Sequence, residues 1–325
     1  MSTSSTRKPV LASPPDQKLP EPVLVIGEAL IDLIRRPGEF TDARVGGSPL
    51  NVAIGLSRLE VPAVLQTRIG ADDHADMIQA HLAENVVALV PGSVTPGRSS
   101  TAVATIGGDG AATYEFDIHW ALDRTPLGSP ALLHTGSIGA VLEPGASVVI
   151  NTIRVLRDTA TISYDPNVRP KLMGECDSAR ARIESLVCLA DVVKASSEDL
   201  EWLYPDTDLE VVARGWRDLG PAIVVVTHGE TGAYAVGPAA AVRIPAPATD
   251  LVDTIGAGDS FMAGLLAALS DADLLGRKHE SRLRALDEAA LRELLEFAAA
   301  CAAVTVSRPG ADPPRRGDLT VKVSP

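Results

Sequence analysis

The sequence predicts an α/β fold, a doubly wound and mostly parallel sheet with helices on both faces and a small β lid. Short apolar runs rich in Val, Ile and Leu alternate with segments of helical periodicity along most of the 325 residues. The runs are apolar throughout, which is typical of parallel strands that helices cover on both faces. Two segments, 35–47 and 101–118, instead alternate apolar with polar residues, which predicts half-buried strands of a separate small sheet.

The predicted elements follow one another as repeated βα units. The run "PVLVIG" at 22–27, bounded by Pro and Gly, predicts the first buried strand. Acidic residues at the start of 72–87 are typical of a helix N-terminus. Further strands are predicted at 63–70, 131–138, 161–166, 191–196, 222–229 and 232–237, and helices at 50–60, 72–87, 144–159, 178–190, 209–220, directly after residue 256 and at 286–306.

The lid is predicted from segments at about 34–46 and 97–120, with a "GGDG" hairpin turn at 107–110. Ligands bind at the carboxyl ends of the strands in such sheets, so the lid is expected to cover this edge. Residues 21–320 are expected to form one domain. Residues 1–20 are rich in Pro and Ser and have no apolar core segment, which predicts a disordered tail rather than a signal peptide.

Composition argues against several classes of partner. The formal net charge of −13 argues against nucleic acid, because such binding depends on Lys and Arg at the phosphates. It also argues against docking on anionic membranes, and the longest apolar run is too short to span a bilayer. The three cysteines are widely spaced and form no CxxC pair, so neither a zinc cluster nor a disulfide framework is expected. The protein is therefore expected to be cytoplasmic.

The stretch "DTIGAGDSF" at 253–261 predicts an anion site. Gly256, Ala257 and Gly258 leave the backbone N–H groups accessible, and apolar residues at helical spacing follow them. Unpaired N–H groups and the helix dipole both favour negative charge at such a helix start. Asp259 nevertheless places a carboxylate at the mouth of this site. Taken alone, Asp259 is an ordinary first-turn acid that complements the helix dipole, and a role in the site's chemistry is the alternative.

Four other polar stretches lie at predicted strand ends, where function is expected in a doubly wound sheet. Each has a structural alternative, such as a turn or a cap. For Lys194, which lies outside these stretches, the structural alternative is a solvated side chain. No GxxxxGK[ST] motif occurs and no GxGxxG follows the first strand, so neither a P-loop NTPase nor an NAD-dependent dehydrogenase is favoured. A functional site is favoured because the stretches occur together, in order, at predicted strand ends. They are "GEALID" with Asp32 just past the first strand, "GGSPLN" with Gly46, Gly47 and Asn51 at a helix entry, "YDPNVRP" with Asp165, Asn167 and Arg169, and "VTHGETG" with glycines that let the backbone approach a nucleotide.

With these motifs, the chain resembles the ribokinase-like carbohydrate kinases of the PfkB family over roughly residues 22–320. "DTIGAGDSFMAG" is similar to the family's C-terminal signature and "GGSPLNVA" to its N-terminal one, and "DPNVRP", "VVTHGETGAYAV" and "SRPGADPP" are similar to other segments. The resemblance implies an ATP-dependent kinase for a primary sugar hydroxyl, with the fructokinase branch most similar. 2-Keto-3-deoxygluconate and ribose are alternative substrates, and a non-catalytic sugar-binding protein is an alternative of another class.

The resemblance also implies roles for individual residues. Asp259 matches the catalytic base, and Gly256, Ala257 and Gly258 match the anion hole. Sugar binding is implied for Asp32, Gly46, Gly47, Asn51, Asn167 and Arg169; ATP binding for Lys194, Ser196, Thr227, Gly229 and Gly232; and binding of a monovalent cation such as K⁺ for Asp253, Ile255 and the carbonyls of Thr305, Arg308 and Gly310.

One motif departs from the family. The Asn-x-x-Glu segment near magnesium is replaced by "SSED" at 196–199, so Glu198 and Asp199 are both candidates for binding Mg²⁺. The lid is also a candidate contact between two copies of the chain.

Overall fold

The computed structural model describes residues 22–35, 41–106, 112–123 and 128–319. The predicted tail at 1–20, the "GGDG" turn at 107–110 and residues 36–40 of the predicted lid lie outside the described residues. The strands are β1 (Val23–Ile26), β2 (Leu30–Arg35), β3 (Asp42–Gly46), β4 (Ala63–Gln66), β5 (Ala88–Leu89), β6 (Ser100–Ile106), β7 (Ala112–Asp117), β8 (Leu132–Gly136), β9 (Thr161–Asp165), β10 (Val192–Ser196), β11 (Ile223–Thr227), β12 (Ala233–Val236) and β13 (Ala241–Ile244). The helices are α1 (Ser48–Arg58), α2 (Asp73–Glu84), α3 (Gly145–Leu156), α4 (Pro170–Met173), α5 (Cys176–Val187), α6 (Ser197–Leu203), α7 (Leu209–Asp218), α8 (Ala257–Asp271), α9 (Glu280–Leu283) and α10 (Glu288–Val306).

A nine-stranded, mostly parallel sheet runs through the described residues. Its order is β13-β12-β11-β10-β9-β8-β1-β4-β5. β1 pairs in parallel with β4 and β8, whereas β12 and β13 are antiparallel to their neighbours at one end. The carboxyl ends of all the other strands therefore meet at one edge, called here the carboxyl edge; the opposite side is the amino edge. The predicted fold class is confirmed.

Helices cover both faces of this sheet. One core contains the apolar residues of α1, α8 and α10, and the other contains those of α3, α5 and α7. The strands supply alternate residues to the two cores, since Val23 and Val25 lie in the first and Leu24 and Ile26 in the second. Burial on both faces explains why the strands read as continuous apolar runs. Within the described residues, no helix is both long and apolar enough to cross a membrane.

Helix α8 packs closely against its two neighbours because small residues line the contacts. A Cβ on Gly55 of α1 would lie 2.6 Å from Ala263 of α8, and one on Gly264 would lie 2.8 Å from the sulfur of Cys301 on α10. The apolar rows predicted for this helix are buried: Phe261, Leu265, Leu269, Met262 and Leu266. This packing fixes the start of α8, where the predicted anion site lies.

The predicted small sheet is present as well. Four strands form it in the order β3-β2-β6-β7. Its strand β2 begins shortly after β1 of the main sheet ends. Its first strand begins at Leu30, earlier than the expected position 34. The small sheet therefore stands at the carboxyl edge, as expected for a lid.

The sequence predicts Asp32 just past the first strand, whereas in the structure Asp32 lies farther along, within a second strand. The chain bends at Gly27 and becomes extended again at Leu30, so Asp32 lies within β2 of the lid, opposite Arg44 of β3. Leu30 and Ile31 are buried at the base of the strand, whereas Asp32 is exposed. The space between this small sheet and the carboxyl edge is called here the cleft. An apolar pair followed by a polar residue is too short a pattern to be recognised as a second strand.

Several short elements were not predicted. Helix α6 has seven residues, too few for its apolar positions to show a period. Strand β13 alternates buried and exposed residues at the end of the sheet, in a segment for which the sequence predicts no element. Strand β4 ends at Gln66, before the predicted end at residue 70. These differences lie at the ends of the predicted segments or between them and leave the layered architecture unchanged.

Candidate active site

The anion site predicted at the start of α8 has the expected backbone geometry. Gly256 precedes the helix with φ of 76°, and a Cβ there would lie 2.6 Å from Ala311, so this position requires glycine. Ala257 N–H donates to the Thr254 carbonyl at 3.3 Å. No described residue accepts a hydrogen bond from the N–H of Gly258 or Asp259. These donors are free to bind an anion at the positive end of the helix dipole.

Asp259 lies beside these donors and is held by helix α1. Its Oδ1 accepts a hydrogen bond from Ser48 Oγ at 2.6 Å, and its Oδ2 accepts one from Asn51 Nδ2 at 2.8 Å. Burial raises the pKa of the Asp259 carboxyl, and the two hydrogen bonds partly offset this effect. The two donors thus orient a buried carboxylate whose affinity for a proton is increased.

Sequence reasoning missed Ser48 and assigned Asn51 to the sugar alone. In the structure both residues contact Asp259, although Asn51 is only partly buried and its surface remains open to the cleft. The sequence signal for Ser48 was its place inside "GGSPLN", at the start of a helix that follows a glycine pair. Its partner is 211 positions away, which local patterns cannot reveal.

The glycine pair before α1 allows close approach on two sides. A Cβ on Gly46 would lie 2.2 Å from Asp32 Oδ2, and one on Gly47, which has φ of 115°, would lie 2.5 Å from the Glu28 carbonyl. The Asp32 carboxylate therefore rests directly on the backbone of Gly46. The surrounding protein partly shields Asp32 from water, which raises the pKa of its carboxyl, and the charge of Arg169 opposes this rise. The predicted sugar residues of the lid and of α1 are thus adjacent.

Arg169 and Asn167 reach the same cleft from the end of β9. Asn167 has φ of 36°, a turn conformation that Asn tolerates, and its Oδ1 accepts a hydrogen bond from Arg169 Nη1 at 2.8 Å. Arg169 is exposed, and its charge lowers the proton affinity of Asp259 as well as that of Asp32. One exposed guanidinium therefore acts on both predicted carboxylates of the cleft.

Glu28 is a second residue that sequence reasoning missed. It follows β1 and is buried, and its Oε2 accepts a hydrogen bond from Gly139 N–H at 3.0 Å. Burial raises its pKa to about 7, although hydrogen bonds from Ser137 and the backbone oppose this. Glu28 thus joins the end of β1 to the turn after β8, beneath the predicted sugar site.

Lys194 lies below the anion site rather than on the surface. Its Nζ is 2.9 Å from Asp165 Oδ2, and both side chains are buried. A Cβ on Gly258 would be 3.4 Å from this Nζ. Burial disfavours the charged lysine, but the carboxylates of Asp165 and Asp199 outweigh it and raise its pKa. The alternative of a solvated lysine is therefore wrong, and a buried cation faces the predicted anion hole.

The two candidate magnesium residues occupy different positions. Asp199 is buried in a capping box of α6: its Oδ2 accepts from Ser196 N–H at 2.9 Å and its Oδ1 from Val168 N–H at 2.7 Å. Ser196 Oγ in turn accepts from the N–H of Asp199. Glu198 is exposed next to them. Ser196 and Asp199 therefore have a structural role at the start of α6, and Glu198 is the more accessible carboxylate.

Three of the predicted nucleotide residues lie at the carboxyl end of β11 or in the turn that follows it. Thr227 ends that strand, and Gly229 has φ of 53° with open space where a Cβ would be. Gly232 has φ of 106°, and a Cβ there would lie 2.0 Å from the Ile244 carbonyl. Gly232 is thus required by the packing of the turn against the end of β13, whereas Gly229 leaves open surface for a ligand.

The predicted cation residues are brought together from two loops. Asp253 Oδ1 accepts from Ile255 N–H at 3.0 Å and Oδ2 from Gly310 N–H at 2.8 Å. These two hydrogen bonds lower the pKa of Asp253. The Thr305 carbonyl accepts from Arg308 N–H at the end of α10. Because Ala311 packs on Gly256, this loop pair directly supports the anion site.

The buried carboxylate of Asp259 beside unpaired N–H groups at the start of α8 fits an acceptor hydroxyl next to a bound phosphate, which is the arrangement that a phosphotransferase requires. The particular family follows from comparison with known proteins. The chain belongs to the pfkB family of carbohydrate kinases, whose model matches residues 21–316. The protein is therefore a phosphotransferase that acts on a sugar.

Relatives and solved structures agree with this assignment. A fructokinase from Rhizobium leguminosarum bv. trifolii is 34% identical over 282 residues, which cover 83% of this chain and 85% of the relative. A double mutant of the Vibrio cholerae O395 fructokinase, solved with fructose, ADP and potassium ion, has a TM-score of 0.79 and 26% identity, and the match covers 94% of this chain and 98% of that one. A Xylella fastidiosa fructokinase with bound ATP has a TM-score of 0.79 and 25% identity, covering 91% and 97%.

Proposed function

We propose that the protein transfers the γ-phosphoryl group of ATP to the primary hydroxyl of fructose, giving fructose 6-phosphate. The observation that carries this proposal is Asp259, a buried carboxylate held by Ser48 and Asn51 next to the unpaired N–H groups at the start of α8. The choice of fructose is supported by the named relatives, which are fructokinases.

Each group of the site then has a defined task. Asp259 accepts the proton of the attacking hydroxyl, because its pKa is raised and its oxygens are oriented from α1. The N–H groups of Gly258 and Asp259 hold the negative charge of the transferred group, since positioning and charge stabilisation dominate phosphoryl transfer. Asp32 and Asn51 face the cleft, where they bind sugar hydroxyls. The lid excludes water, which would otherwise compete as the acceptor.

The residues near α6 fit a magnesium ion that is shared with the phosphates. Mg²⁺ usually takes only one or two carboxylates together with substrate oxygens. A site of this kind needs few protein ligands, and the described parts of the chain hold no group of three His, Cys, Asp or Glu side chains that could bind a metal ion by themselves. Glu198 is the accessible candidate, and Asp199 acts by holding the start of α6. When bound, the metal ion neutralises phosphate charge.

A monovalent cation between the loops at 253–255 and 305–310 is part of the proposal. The loops are already linked through Asp253, and they support Gly256. We expect K⁺ to increase kcat relative to Na⁺ at constant ionic strength. Equal rates in the two salts would argue against a functional cation here without affecting the assignment of Asp259.

The substrate is tested by measuring ADP release with fructose, ribose and 2-keto-3-deoxygluconate. We expect the highest kcat/KM with fructose. A strong preference for 2-keto-3-deoxygluconate would replace fructose and would give exposed Arg169 a role as the partner of the substrate carboxylate. No ADP release with any sugar, together with retained sugar binding, would favour a non-catalytic binding protein.

We also propose that two chains associate through the lid, which sedimentation can test.

A further inference from the structure

The buried pair of Lys194 and Asp165 is a cation–carboxylate contact that lies directly below the predicted anion hole. The side chains are 4% and 1% exposed, and the two charged atoms are 2.9 Å apart. The ammonium lies 3.4 Å from the point where a Cβ on Gly258 would be. A positive charge is therefore placed under the N–H groups of the turn at a position shielded from water, where it acts strongly on a bound anion.

This lysine is surrounded by more negative charge than it can neutralise. Asp165, Asp199 and Asp259 all act on it. Neutral groups hold two of these carboxylates: Ser48 and Asn51 hold Asp259, while backbone N–H groups of Val168 and Ser196 hold Asp199. Asp165 is the carboxylate in direct contact with the ammonium. Asp165 is thus the residue that fixes the position of the Lys194 ammonium.

Asp165 is itself fixed by the ends of two adjacent strands. Its Oδ1 accepts from Asn167 N–H at 3.2 Å, and its carbonyl accepts from Ser137 N–H at 2.9 Å. A Cβ on Gly136 of β8 would lie 2.2 Å from the Asp165 carbonyl oxygen, so the backbones are in close contact. A carboxylate held in this way offers the lysine one position. A flexible lysine gains directional precision only from such a partner.

We propose that Asp165 is a positioning residue for phosphoryl transfer: it holds the Lys194 ammonium beneath Gly258, so that a fixed positive charge faces the phosphoryl group in the anion hole. This inference rests on the proposed kinase function. In this proposal Asp165 does not contact the reacting atoms and acts only through Lys194.

The first test is Asp165→Asn, which keeps the shape and removes the charge. We expect kcat to fall at least about tenfold, less than the roughly 10²–10³-fold loss seen when a direct donor of an oxyanion hole is removed. The affinity for ADP, measured by calorimetry, should stay the same or increase, because a negative charge near the phosphates is gone. A merely structural pair would lower the melting temperature and leave kcat unchanged, and this result would overturn the proposal.

Asp191→Asn is the matched control. Asp191 is also a buried carboxylate that pairs with a cation, Arg277, and accepts a backbone hydrogen bond, from Ile162 at 2.9 Å. It precedes β10 at the amino edge, whereas Lys194 lies in that strand near the carboxyl edge. We expect a lower melting temperature with kcat unchanged. An equal loss of kcat in both variants would mean that the Asp165 effect is general destabilisation.

A double-mutant cycle separates action through Lys194 from independent action. Lys194→Met should reduce both kcat and ADP affinity. Adding Asp165→Asn to this variant should change kcat by less than about twofold, since the residue has lost its partner. A further large loss in the double variant would overturn the proposal. If Asp165→Asn alone does not fold, Lys194→Met is compared with the double variant. The double variant holds no unpaired charge in the cavity, and the lone Asp165 of Lys194→Met, whose pKa burial raises to about 6, can bind a proton.

Failure of the proposed function gives a different pattern. If the wild-type protein phosphorylates no sugar, that function is wrong, and the ADP affinities of the same variants remain measurable. The inference about the pair then stands if Lys194→Met weakens ADP binding and Asp165→Asn adds nothing to that loss. It fails if Lys194→Met binds ADP as the wild type does.

Discussion

Two ion pairs with a buried carboxylate lie at opposite edges of the main sheet, and their surroundings differ. At the amino edge, the Arg277 guanidinium contacts Asp191 and Glu280 and donates to the carbonyls of Arg157 and Ala160. At the carboxyl edge, the Lys194 ammonium has one close partner among the described residues, Asp165. The first cation has all its hydrogen-bonding capacity used within the protein, and the second does not.

The difference shows how the fold separates stability from ligand binding. A cation with several protein partners holds elements together but has no donors left for a ligand. Near Lys194, by contrast, the N–H groups of Gly258 and Asp259 also lack protein acceptors. Unpaired buried groups are unfavourable in the empty protein, and they become useful when a phosphate fills the site. Function at the carboxyl edge is thus obtained at some expense in stability.

The strongest test of this separation is Asp259→Asn. The shape of the side chain is kept and the proton acceptor is lost, so we expect kcat to fall by on the order of 10² to 10⁴, the span usual for a general base. Stability should change little or increase, because a buried charge is removed. The measurement is turnover at saturating substrates alongside a melting curve. A variant with normal kcat and lower stability would make Asp259 a partner of the helix dipole and nothing more.

The sequence could predict those features of the molecule that depend on residues close together in the chain. Strands such as β11, with four consecutive buried residues, are visible from local composition. The glycine-opened start of α8 is visible in the same way, because Gly256 and the apolar rows are adjacent in sequence. The contacts of Asp259 with Ser48 and of Lys194 with Asp165 join distant segments. They depend on the order of strands in the sheet, which no local pattern contains.

Glu28 allows a test of the stability lost at the carboxyl edge. Its pKa in the folded protein is about 7, raised from 4.5 mainly by burial. Between pH 4.5 and pH 7 the folded protein keeps a proton on Glu28 that the unfolded chain has already released. The contribution of this proton to the unfolding free energy is therefore full below about pH 4.5 and is lost as pH rises through 7. The loss is on the order of 3–4 kcal/mol, at about 1.4 kcal/mol per pKa unit.

Glu28→Gln removes this titration and keeps an oxygen that can accept from Gly139 N–H. The difference in unfolding free energy between the wild type and the variant should therefore fall as pH is raised from 5 to 8. Urea denaturation at a series of pH values measures it. Parallel curves would mean that Glu28 is not titrating in this range.

Arg277→Met tests the amino edge. Removing Arg277 takes the nearer cation from buried Asp191 and leaves only Arg284, whose Nη2 is 3.9 Å away. Losses of a partner reach about 3–5 kcal/mol in fully buried pairs. Because the Arg277 side chain is 23% exposed, we expect about 2–3 kcal/mol, with kcat within twofold of the wild type at a temperature where the variant is folded. Arg282→Met is the control, since Arg282 and its partner Asp273 are both exposed. A selective loss of kcat in Arg277→Met would contradict the division of roles between the edges.

Ser48→Ala is the mildest change and the most specific to the carboxyl edge. The Ser48 hydroxyl donates to Asp259 Oδ1 at 2.6 Å in a buried position, and Asn51 still holds the other oxygen in the variant. A hydrogen bond to a charged group contributes about 1.5–3 kcal/mol, but the remaining donor limits the effect, and we expect kcat to fall between about threefold and tenfold. The lost donor stabilised the charged form, so the pKa of Asp259 should rise further. The acidic limb of kcat/KM, which reports the base in the free enzyme, should therefore move to higher pH. Ser57→Ala is the matched control on the same helix, because the Ser57 hydroxyl donates to the Asn85 carbonyl at 2.6 Å, away from the site. If both variants had the same pH profile as the wild type, Ser48 would be a packing residue, and the orientation of Asp259 would depend on Asn51 alone.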